Sequence, residues 1–317
     1  MTRTLLSLLL AAAVAAPLEP SAPDYEVERV QDWLTMPDGV RLSVTYFMPK
    51  GPPARFPVLL ELLPYRKDDA FLALDYPLHA YFARRGYVSA KVDVRGTGSS
   101  EGAVPDREYS DAEIDDAVEI ISQLAAKPWS NGNVGMWGIS WGGFNALISA
   151  TRQPPALKAV LAADASDDLF HDDVRYIDGV LHLDEYALAI DHDNGLPRSP
   201  DYPLDASYFR DRFERKPWLF TYLAQQQDGP FWREKSLRFH CGSVRTPVYL
   251  IGGLLDSYRD SVPRLLECLS SPVKAEIGPW GHAWPDNGEP GPNYEWRRQA
   301  VRWWDHWLKK RDRKSVV

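Results

Sequence analysis

The fold of this chain is decided by residues 134–144, Val134-Gly135-Met136-Trp137-Gly138-Ile139-Ser140-Trp141-Gly142-Gly143-Phe144. This stretch contains the pattern Gly-x-Ser-x-Gly, in which a buried strand turns sharply into a helix and leaves a serine hydroxyl clear of the sheet. Glycine occupies both flanking positions because a side chain there would collide where the strand and the helix cross. An apolar run precedes the serine, and residues 144–150 follow it with the composition of a buried helix. The stretch therefore predicts a nucleophile elbow with Ser140 at its tip, and the alternative is a glycine-rich turn with an idle serine.

Strand-like and helix-like segments alternate on both sides of the elbow. Residues 25–48 alternate apolar and polar side chains around Asp38-Gly39, which predicts a hairpin of two antiparallel strands. Further strands are expected at residues 56–63, 87–94, 157–163, 247–252 and 273–277. Helices are expected at residues 73–85, 111–127, 144–150, 261–270 and 294–310. Strands that alternate with helices imply an α/β fold, with a mostly parallel sheet flanked by helices on both faces.

The chain divides into an N-terminal processing segment and one interrupted domain. Residues 1–23 are interpreted as a signal peptide and linker, because a short apolar run and a small-residue cleavage site precede a Pro-rich stretch. Residues 24–165 and 243–317 are expected to form the two parts of the core, and residues 166–242 a mostly helical cap inserted between them. We therefore expect a secreted or periplasmic protein, and the alternative is an uncleaved N-terminal membrane anchor.

The composition is that of a soluble globular protein and excludes several classes of partner. The 317 residues carry a net charge of -8 and no strongly basic stretch, so we expect no nucleic-acid partner and no attraction of the mature chain to anionic membranes. The sequence has no Cys-x-x-Cys motif and no cysteine–histidine cluster, so we expect neither a metal site nor a cofactor. The 2 cysteines, Cys241 and Cys268, are consistent with either a disulfide or two buried thiols.

Two later segments supply the partners that a serine nucleophile requires. Serine needs a base, usually histidine, and that histidine needs a carboxylate to orient its ring and stabilise its charge. The expected order along the chain is serine, acid and histidine, each on a loop after a strand. Asp256 and His282 each follow one of the expected strands, whereas Asp260 is expected inside the next helix. We therefore predict Asp256 as the acid and His282 as the base.

Acyl transfer also requires hydrogen-bond donors for the negative oxygen that develops on the substrate. The backbone N–H of Trp141, the residue after the nucleophile, is expected to be one donor. The second donor is expected from the loop after the strand at 56–63, where Tyr65 stands. From position alone, a packed tyrosine explains Tyr65 as well as a donor does.

The elbow and several other segments stand in a distinctive order along the chain. They are Pro64-Tyr65, Asp93-Val94-Arg95-Gly96-Thr97-Gly98-Ser99-Ser100-Glu101-Gly102, Gly138-Ile139-Ser140-Trp141-Gly142-Gly143-Phe144-Asn145, Gly252-Gly253-Leu254-Leu255-Asp256, Gly278-Pro279-Trp280-Gly281-His282 and Trp303-Trp304-Asp305-His306-Trp307-Leu308-Lys309. In order and spacing they resemble the catalytic domain of the Xaa-Pro dipeptidyl-peptidase and cocaine esterase group of acyl hydrolases (peptidase family S15-like). The resemblance implies an α/β-hydrolase fold and a covalent acyl-serine mechanism, with Ser140 as nucleophile, His282 as base and Asp256 as acid. It also implies that the Tyr65 hydroxyl is a donor of the oxyanion hole.

The chain departs from that family in two places. Family members usually continue past the Trp-rich helix into a β jelly-roll domain, whereas this chain stops at Val317, so that domain is expected to be absent. Relatives that hydrolyse α-amino acid esters bind the substrate ammonium with a carboxylate cluster, and Asp172 or Asp173 is the candidate match for one of its members. Ser257 and Tyr258 follow the predicted acid, where further carboxylates of the cluster would stand. A solvated acidic turn is the alternative interpretation of Asp172 and Asp173.

The predicted function is that of a secreted serine hydrolase that cleaves carboxylic esters or small amides, with a small molecule as its substrate. The alternatives are an X-Pro dipeptidyl-peptidase or α-amino acid ester hydrolase and, from another class, an inactive truncated hydrolase-like domain that only binds. The final helix is expected to expose apolar surface through Trp296, Trp303, Trp304 and Trp307. Such a surface would promote self-association into a homo-oligomer.

Overall fold

The computed structural model describes residues 19–69, 72–182 and 185–311. Most of the predicted signal peptide and linker, residues 1–23, lies outside the described residues, which begin at residue 19. Within the described ranges the chain forms an α/β structure built on one large sheet, as the sequence predicts. No helix in these ranges is both long enough and apolar enough to cross a membrane.

One sheet of eight strands forms the centre of the described chain. The described residues form ten strands, eight in this sheet and two outside it: β1 (Glu26–Thr35), β2 (Arg41–Lys50), β3 (Phe56–Leu63), β4 (Val88–Asp93), β5 (Ser130–Ile139), β6 (Leu157–Ala163), β7 (Tyr176–Ile177), β8 (Val180–Leu181), β9 (Val248–Gly253) and β10 (Val273–Gly278). The order in the large sheet is β1-β2-β4-β3-β5-β6-β9-β10, and β7 pairs with β8 separately. Strand β2 is antiparallel to β1 and β4, whereas all later neighbours in this order are parallel.

The predicted hairpin forms the antiparallel edge of this sheet. Strands β1 and β2 pair along their whole length, from Glu26 opposite Lys50 to Thr35 opposite Arg41. Gly39 makes the turn between them with a φ of +86°, in a region that glycine adopts readily. The Asp-Gly signal therefore marks the turn correctly.

Helices cover both faces of the sheet. They are α1 (Leu72–Ala83), α2 (Asp111–Ala126), α3 (Trp141–Thr151), α4 (Glu185–Gly195), α5 (Ala206–Tyr208), α6 (Trp218–Leu223), α7 (Pro230–Arg233), α8 (Ser261–Cys268) and α9 (Trp296–Lys309). Successive residues of a strand point to opposite faces, so Leu59 and Leu60 belong to different apolar layers. The apolar layer that contains Leu59 includes side chains from α1 and α9. The layer that contains Leu60 includes side chains from α2, α3 and α8.

The tryptophans of α9 are mostly buried, and the expectation of an exposed apolar face on this helix was wrong. Trp296, Trp303 and Trp304 are each 0% exposed. A side chain at Gly135 of β5 would meet the Trp304 ring at 2.8 Å, so the helix lies directly on the strand that leads to the elbow. The helix turns its apolar side toward the sheet, as amphipathic helices do. The predicted self-association therefore has no basis in these three side chains.

The segment between β6 and β9 contains residues 166–242, for which the sequence predicts an inserted cap, and it is called the cap below. It is mostly helical, with α4 to α7 and a π-helical turn at Phe209–Phe213, but it also contains the short β7–β8 hairpin. A disulfide between Cys241 and Cys268 joins the end of the cap to α8. Of the two states that the sequence leaves open for these cysteines, the structure has the disulfide.

Candidate active site

Ser140 lies at the tip of a strained turn between β5 and α3. Its backbone has a φ of +55°, in the left-handed region that residues other than glycine rarely adopt. A side chain on Gly138 would come within 2.6 Å of the Gly142 Cα atom, so the strand and the helix cross too closely for a larger residue. The Phe144 N–H closes the turn by donating to the Ser140 carbonyl oxygen at 2.9 Å. The turn therefore has the geometry that a nucleophile elbow requires.

Asp256 and His282 lie on neighbouring loops and are hydrogen bonded to each other. Asp256 follows β9 and His282 follows β10, and these two strands pair in parallel. The His282 Nδ1 atom lies 2.9 Å from Asp256 Oδ1. The Asp256 side chain is buried, whereas 43% of the His282 side chain is exposed. A buried acid therefore orients a ring whose outer edge remains accessible.

The surroundings of His282 raise its pKa above the ordinary value of 6.5. Burial by itself lowers this pKa, because it disfavours the charged imidazolium. The hydrogen bond that His282 donates to Asp256 and the negative charges of Asp256 and Asp164 act in the opposite direction and outweigh burial. The site is therefore arranged to accept a proton on His282 and to stabilise the charge that results.

Ser140 and His282 open into one cavity of about 690 Å³. A cavity of this size accommodates a small organic molecule. Its walls are mainly apolar and include Leu63, Leu74, Leu78, Ile139, Val174 and Trp284. The cavity can therefore hold an apolar group beside a hydroxyl and an imidazole.

Tyr65 reaches this cavity from the loop after β3. Its hydroxyl lies 2.9 Å from the Tyr186 hydroxyl, and Tyr65 and Ser140 both line the cavity. Burial raises the pKa of Tyr65, so the hydroxyl keeps its proton and can act as a hydrogen-bond donor. The loop is held by Asp93, whose carboxylate accepts the N–H of Lys67 at 2.9 Å. Tyr65 therefore stands beside the serine, where an oxyanion donor is needed.

Trp141 presents its backbone N–H in the first turn of α3, where no carbonyl of the helix can accept it. The indole is buried, donates from Nε1 to Glu113 at 2.7 Å and stacks on Trp218 from the cap. Glu113 also accepts the Asn145 amide at 2.8 Å, and burial raises the pKa of Glu113 to about 7. These contacts fix the Trp141 side chain and hold its backbone N–H in place beside Ser140.

Asp172 and Asp173, the candidate ammonium ligands, have other partners. Asp172 forms an ion pair with Arg264 of α8. Asp173 is buried and accepts a hydrogen bond from the Tyr258 hydroxyl at 3.3 Å, and burial raises its pKa to about 7. Val174, the next residue, lines the cavity instead. Among the described residues, the structure therefore brings neither aspartate into the cavity, and Asp173 does not belong to a solvated turn either.

Two groups of histidine and acidic side chains in the described ranges are close enough to share a metal ion. These groups are Glu61 with Asp75 and His79, and Asp164 with Asp256 and His282. In the first group, the Lys91 ammonium lies 3.4 Å from Glu61 and 2.5 Å from Asp75, so a cation already neutralises the carboxylates. In the second group, a ring nitrogen of His282 is hydrogen bonded to Asp256. Each group therefore already contains an internal ion pair or hydrogen bond.

Asp164 is the residue near the site that sequence patterns missed. It follows β6 directly, and its carboxylate accepts the N–H groups of Gly253 at 3.2 Å and Ala283 at 3.1 Å. The signal that points to it is its place at the carboxyl end of a parallel strand, where α/β proteins carry functional side chains. The predicted strand ends at residue 163 and the predicted cap begins at 166, so Asp164 fell between them.

Comparison with known proteins places this chain in a family. A family model described as X-Pro dipeptidyl-peptidase (S15 family) matches residues 38–284. The chain is 29% identical over 280 residues to a cocaine esterase of Rhodococcus sp., a match that covers 78% of this chain and 48% of the esterase. It is 32% identical over 184 residues to a Mycobacterium tuberculosis protein named as a candidate serine esterase, covering 51% of this chain and 29% of that protein.

The solved structures show the same fold. A crystal structure of an aminopeptidase from a marine sediment archaeon (Thaumarchaeota archaeon) aligns with a TM-score of 0.74 at 21% identity, covering 98% of this chain and 59% of the other. This chain spans about half the length, or less, of the curated relatives that it matches. Because the family model extends over most of the described domain, the chain belongs to the X-Pro dipeptidyl-peptidase (S15) family and has the α/β-hydrolase fold.

Proposed function

We propose that this chain is a serine hydrolase that cleaves carboxylic esters or small amides through a covalent acyl-Ser140 intermediate. One observation carries the proposal: Ser140 opens into the same cavity as His282, and His282 is hydrogen bonded to the buried Asp256. Acyl transfer requires this combination of nucleophile, base and orienting acid. The names of the esterase relatives support the same class of reaction.

In the proposed reaction, His282 Nε2 takes the proton of the Ser140 hydroxyl as the serine oxygen attacks the acyl carbon. Asp256, bonded to Nδ1 at 2.9 Å, holds the ring and stabilises the imidazolium. The substrate carbonyl oxygen becomes an oxyanion that accepts hydrogen bonds from the Trp141 N–H and the Tyr65 hydroxyl. His282 then gives the proton to the leaving alcohol or amine, and Ser140 keeps the acyl group. A water molecule, deprotonated by His282, releases the carboxylic acid in the second half of the reaction.

The acidic side chains in the cavity wall are already paired with cations of the protein. The cavity therefore favours an uncharged acyl group over one with a free amine. Glu61 and Asp75 both lie close to the Lys91 ammonium. Asp286 is paired with Arg297 at 3.1 Å. A substrate ammonium would meet cations that the protein already supplies, and like charges placed together are unfavourable. We therefore expect kcat/KM for a butyrate ester to exceed that for the matching 2-aminobutyrate ester, and the reverse order would favour the α-amino acid ester hydrolase alternative.

Labelling with a fluorophosphonate tests the proposal, because this reagent reacts with an activated serine. The purified chain is compared with Ser140→Ala and with Ser270→Ala, a matched control at an exposed serine outside the cavity. Intact mass should show one adduct on the wild type and on Ser270→Ala, and none on Ser140→Ala. An adduct on Ser140→Ala, or none on the folded wild type, would contradict the proposed role of Ser140.

A further inference from the structure

Asp164 lies between the strands that lead to the proposed nucleophile and acid. Its strand, β6, pairs with β5 on one side and β9 on the other, and Ala163 stands opposite both Ile139 and Ile251. The Ser140 N–H donates to the carbonyl oxygen of Ala163 at 2.9 Å. The carboxyl ends of these parallel strands therefore bring Asp164 next to the serine and next to the loop after β9.

The Asp164 carboxylate joins the loops that carry the two partners of the serine. Its Oδ1 atom accepts the N–H of Gly253, the last residue of β9, at 3.2 Å. Its Oδ2 atom accepts the N–H of Ala283, the residue after His282, at 3.1 Å. Asp164 therefore ties the acid loop to the base loop independently of the Asp256–His282 hydrogen bond.

The backbone of Asp164 is strained where it makes these contacts. The residue is buried and has a φ of +42°, in the left-handed region. Aspartate and asparagine tolerate this region better than most other residues with a side chain. Strain of this kind persists where the surrounding structure requires it, and functional sites are common places for it.

Asp164 also places a second carboxyl group beside the proposed acid and base. One side-chain atom of each of Asp164, Asp256 and His282 lies within 4.8 Å of the others. The Oδ2 atom of Asp256 is buried and has no hydrogen-bond partner among the described residues, so the Asp256 carboxylate is hydrogen bonded through its Oδ1 atom alone. Burial, together with the charge of Asp256, raises the pKa of Asp164 to about 8. Two carboxylates this close resist being ionised together.

We propose that Asp164 is a positioning residue that holds the Asp256 and His282 loops together and, by gaining or losing its own proton, changes the ionisation of His282. This inference rests on the proposed function, because it concerns the same site. While Asp164 is protonated, Asp256 is the single negative charge beside the imidazole. Once Asp164 ionises at higher pH, a second negative charge favours the imidazolium. The titratable groups that face Asp164 within the described ranges are Asp256 and His282, and the Tyr258 ring packs edge-on against His282 with centroids 5.6 Å apart.

Nuclear magnetic resonance of the His282 ring tests this inference. The full chain carries carbon-13-labelled histidine, the His282 signal is assigned by its loss in His282→Gln, and its position is followed across neutral and alkaline pH. The variants are Asp164→Asn and, as the matched control, Asp260→Asn. Asp260 is exposed and lies on the same loop as the proposed acid, so this control makes the same chemical change outside the group.

In the wild type we expect two inflections in the His282 signal, one from its own ring and one near pH 8 from Asp164. In Asp164→Asn the second inflection should disappear, because asparagine has no proton to lose in this pH range. Asp260→Asn should match the wild type. A merely structural role for Asp164 would not remove a titration step. A second inflection that persists in Asp164→Asn, or is missing from the wild type, overturns the proposal.

Asparagine has one side-chain acceptor oxygen, whereas Asp164 uses two, so Asp164→Asn loses one hydrogen bond and its folding is part of the result. A second variant makes the test independent of how well Asp164→Asn folds. Asp256→Asn removes the neighbouring charge and leaves Asp164 in place, so the Asp164 inflection should move about one pH unit lower. An unchanged inflection in that variant also overturns the inference. The signal requires no turnover, so failed fluorophosphonate labelling with both inflections present would contradict the proposed function alone.

Discussion

At the scale of single residues, Tyr65 brings a hydroxyl to Ser140 from a loop far away in the sequence. Its ring packs edge-on against Trp141, with ring centroids 6.1 Å apart, and its hydroxyl meets that of Tyr186 from the cap. Tyr65 is therefore positioned by the core and the cap together. A donor fixed in this way stabilises the charge that develops in the transition state more than it stabilises the bound substrate.

Replacing Tyr65 with phenylalanine should remove this donor while keeping the ring. We expect kcat for a short acyl ester to fall by roughly 100-fold with little change in KM, because the lost hydrogen bond matters mainly in the transition state. Steady-state kinetics measure both constants. The matched control is Tyr76→Phe, which removes a hydroxyl from a tyrosine on α1 that is 43% exposed, and it should retain wild-type kinetics. Wild-type kcat in Tyr65→Phe would mean that Tyr65 is only a packed tyrosine.

At the scale of secondary-structure elements, the crossing of β5 and α3 determines where Ser140 stands. Gly138, Gly142 and Gly143 permit this crossing. A side chain on each would meet a different neighbour, which for Gly142 is the Leu63 side chain at 3.1 Å. A side chain on Gly138 would meet the Gly142 backbone, and one on Gly143 would lie 2.9 Å from the Ala163 carbonyl oxygen. The helix therefore begins close to both β5 and β6, which brings the serine to the edge where the partner loops lie.

Adding one methyl group at the crossing should destabilise the whole domain. Gly138→Ala places a carbon 2.6 Å from a backbone atom, which cannot move without shifting α3. We expect the free energy of unfolding in urea to fall by about 2 kcal/mol or more, with loss of fluorophosphonate labelling. Gly242→Ala is the matched control, because a side chain there meets nothing within 4 Å. Equal stability of the two variants would show that β5 and α3 can separate without cost.

At the scale of the whole molecule, the cap is attached to the core by contacts between segments far apart in the sequence. The Cys241–Cys268 disulfide joins residues 27 positions apart and links the end of the cap to α8. On the other side of the cap, Arg212 donates to the Gly98 carbonyl oxygen at 3.0 Å. Disulfides persist in oxidising compartments, which agrees with the export expected from the N-terminal segment. Export itself stays a prediction, since that segment lies outside the described residues.

Removing the disulfide should lower global stability without altering the chemistry of the site. For the double variant Cys241→Ser/Cys268→Ser, we expect the free energy of unfolding to fall by about 3 kcal/mol, because the unfolded chain regains the freedom of the closed loop. Urea unfolding measures this change, and fluorophosphonate labelling in the absence of urea should be retained. A reducing agent should bring the wild type to the same stability and leave the double variant unchanged. A wild type that is insensitive to reduction would contradict the structural role of the bond.

The sequence by itself determined the order of the main strands and helices of the core and the sharp turn at the elbow. Glycines around Ser140, between an apolar strand and an apolar helix, restrict the backbone so strongly that a short pattern predicts the turn. That Asp256 and His282 each follow a strand was predictable for a similar reason, since β9 is an apolar run and β10 alternates apolar and polar residues. Such signals are local, and local backbone preferences are what a sequence encodes directly.

Only the tertiary structure decided which surfaces and loops meet. Periodicity shows that α9 has an apolar side, but the position of the helix on β5 and β6 determines that Trp304 is buried. Asp172 looks like a free carboxylate until the packing of α8 brings Arg264 to it. Asp164 gains its place because β6 lies between β5 and β9, and this strand order depends on how the whole sheet assembles. Contacts of this kind join residues far apart in the chain, so no local pattern encodes them.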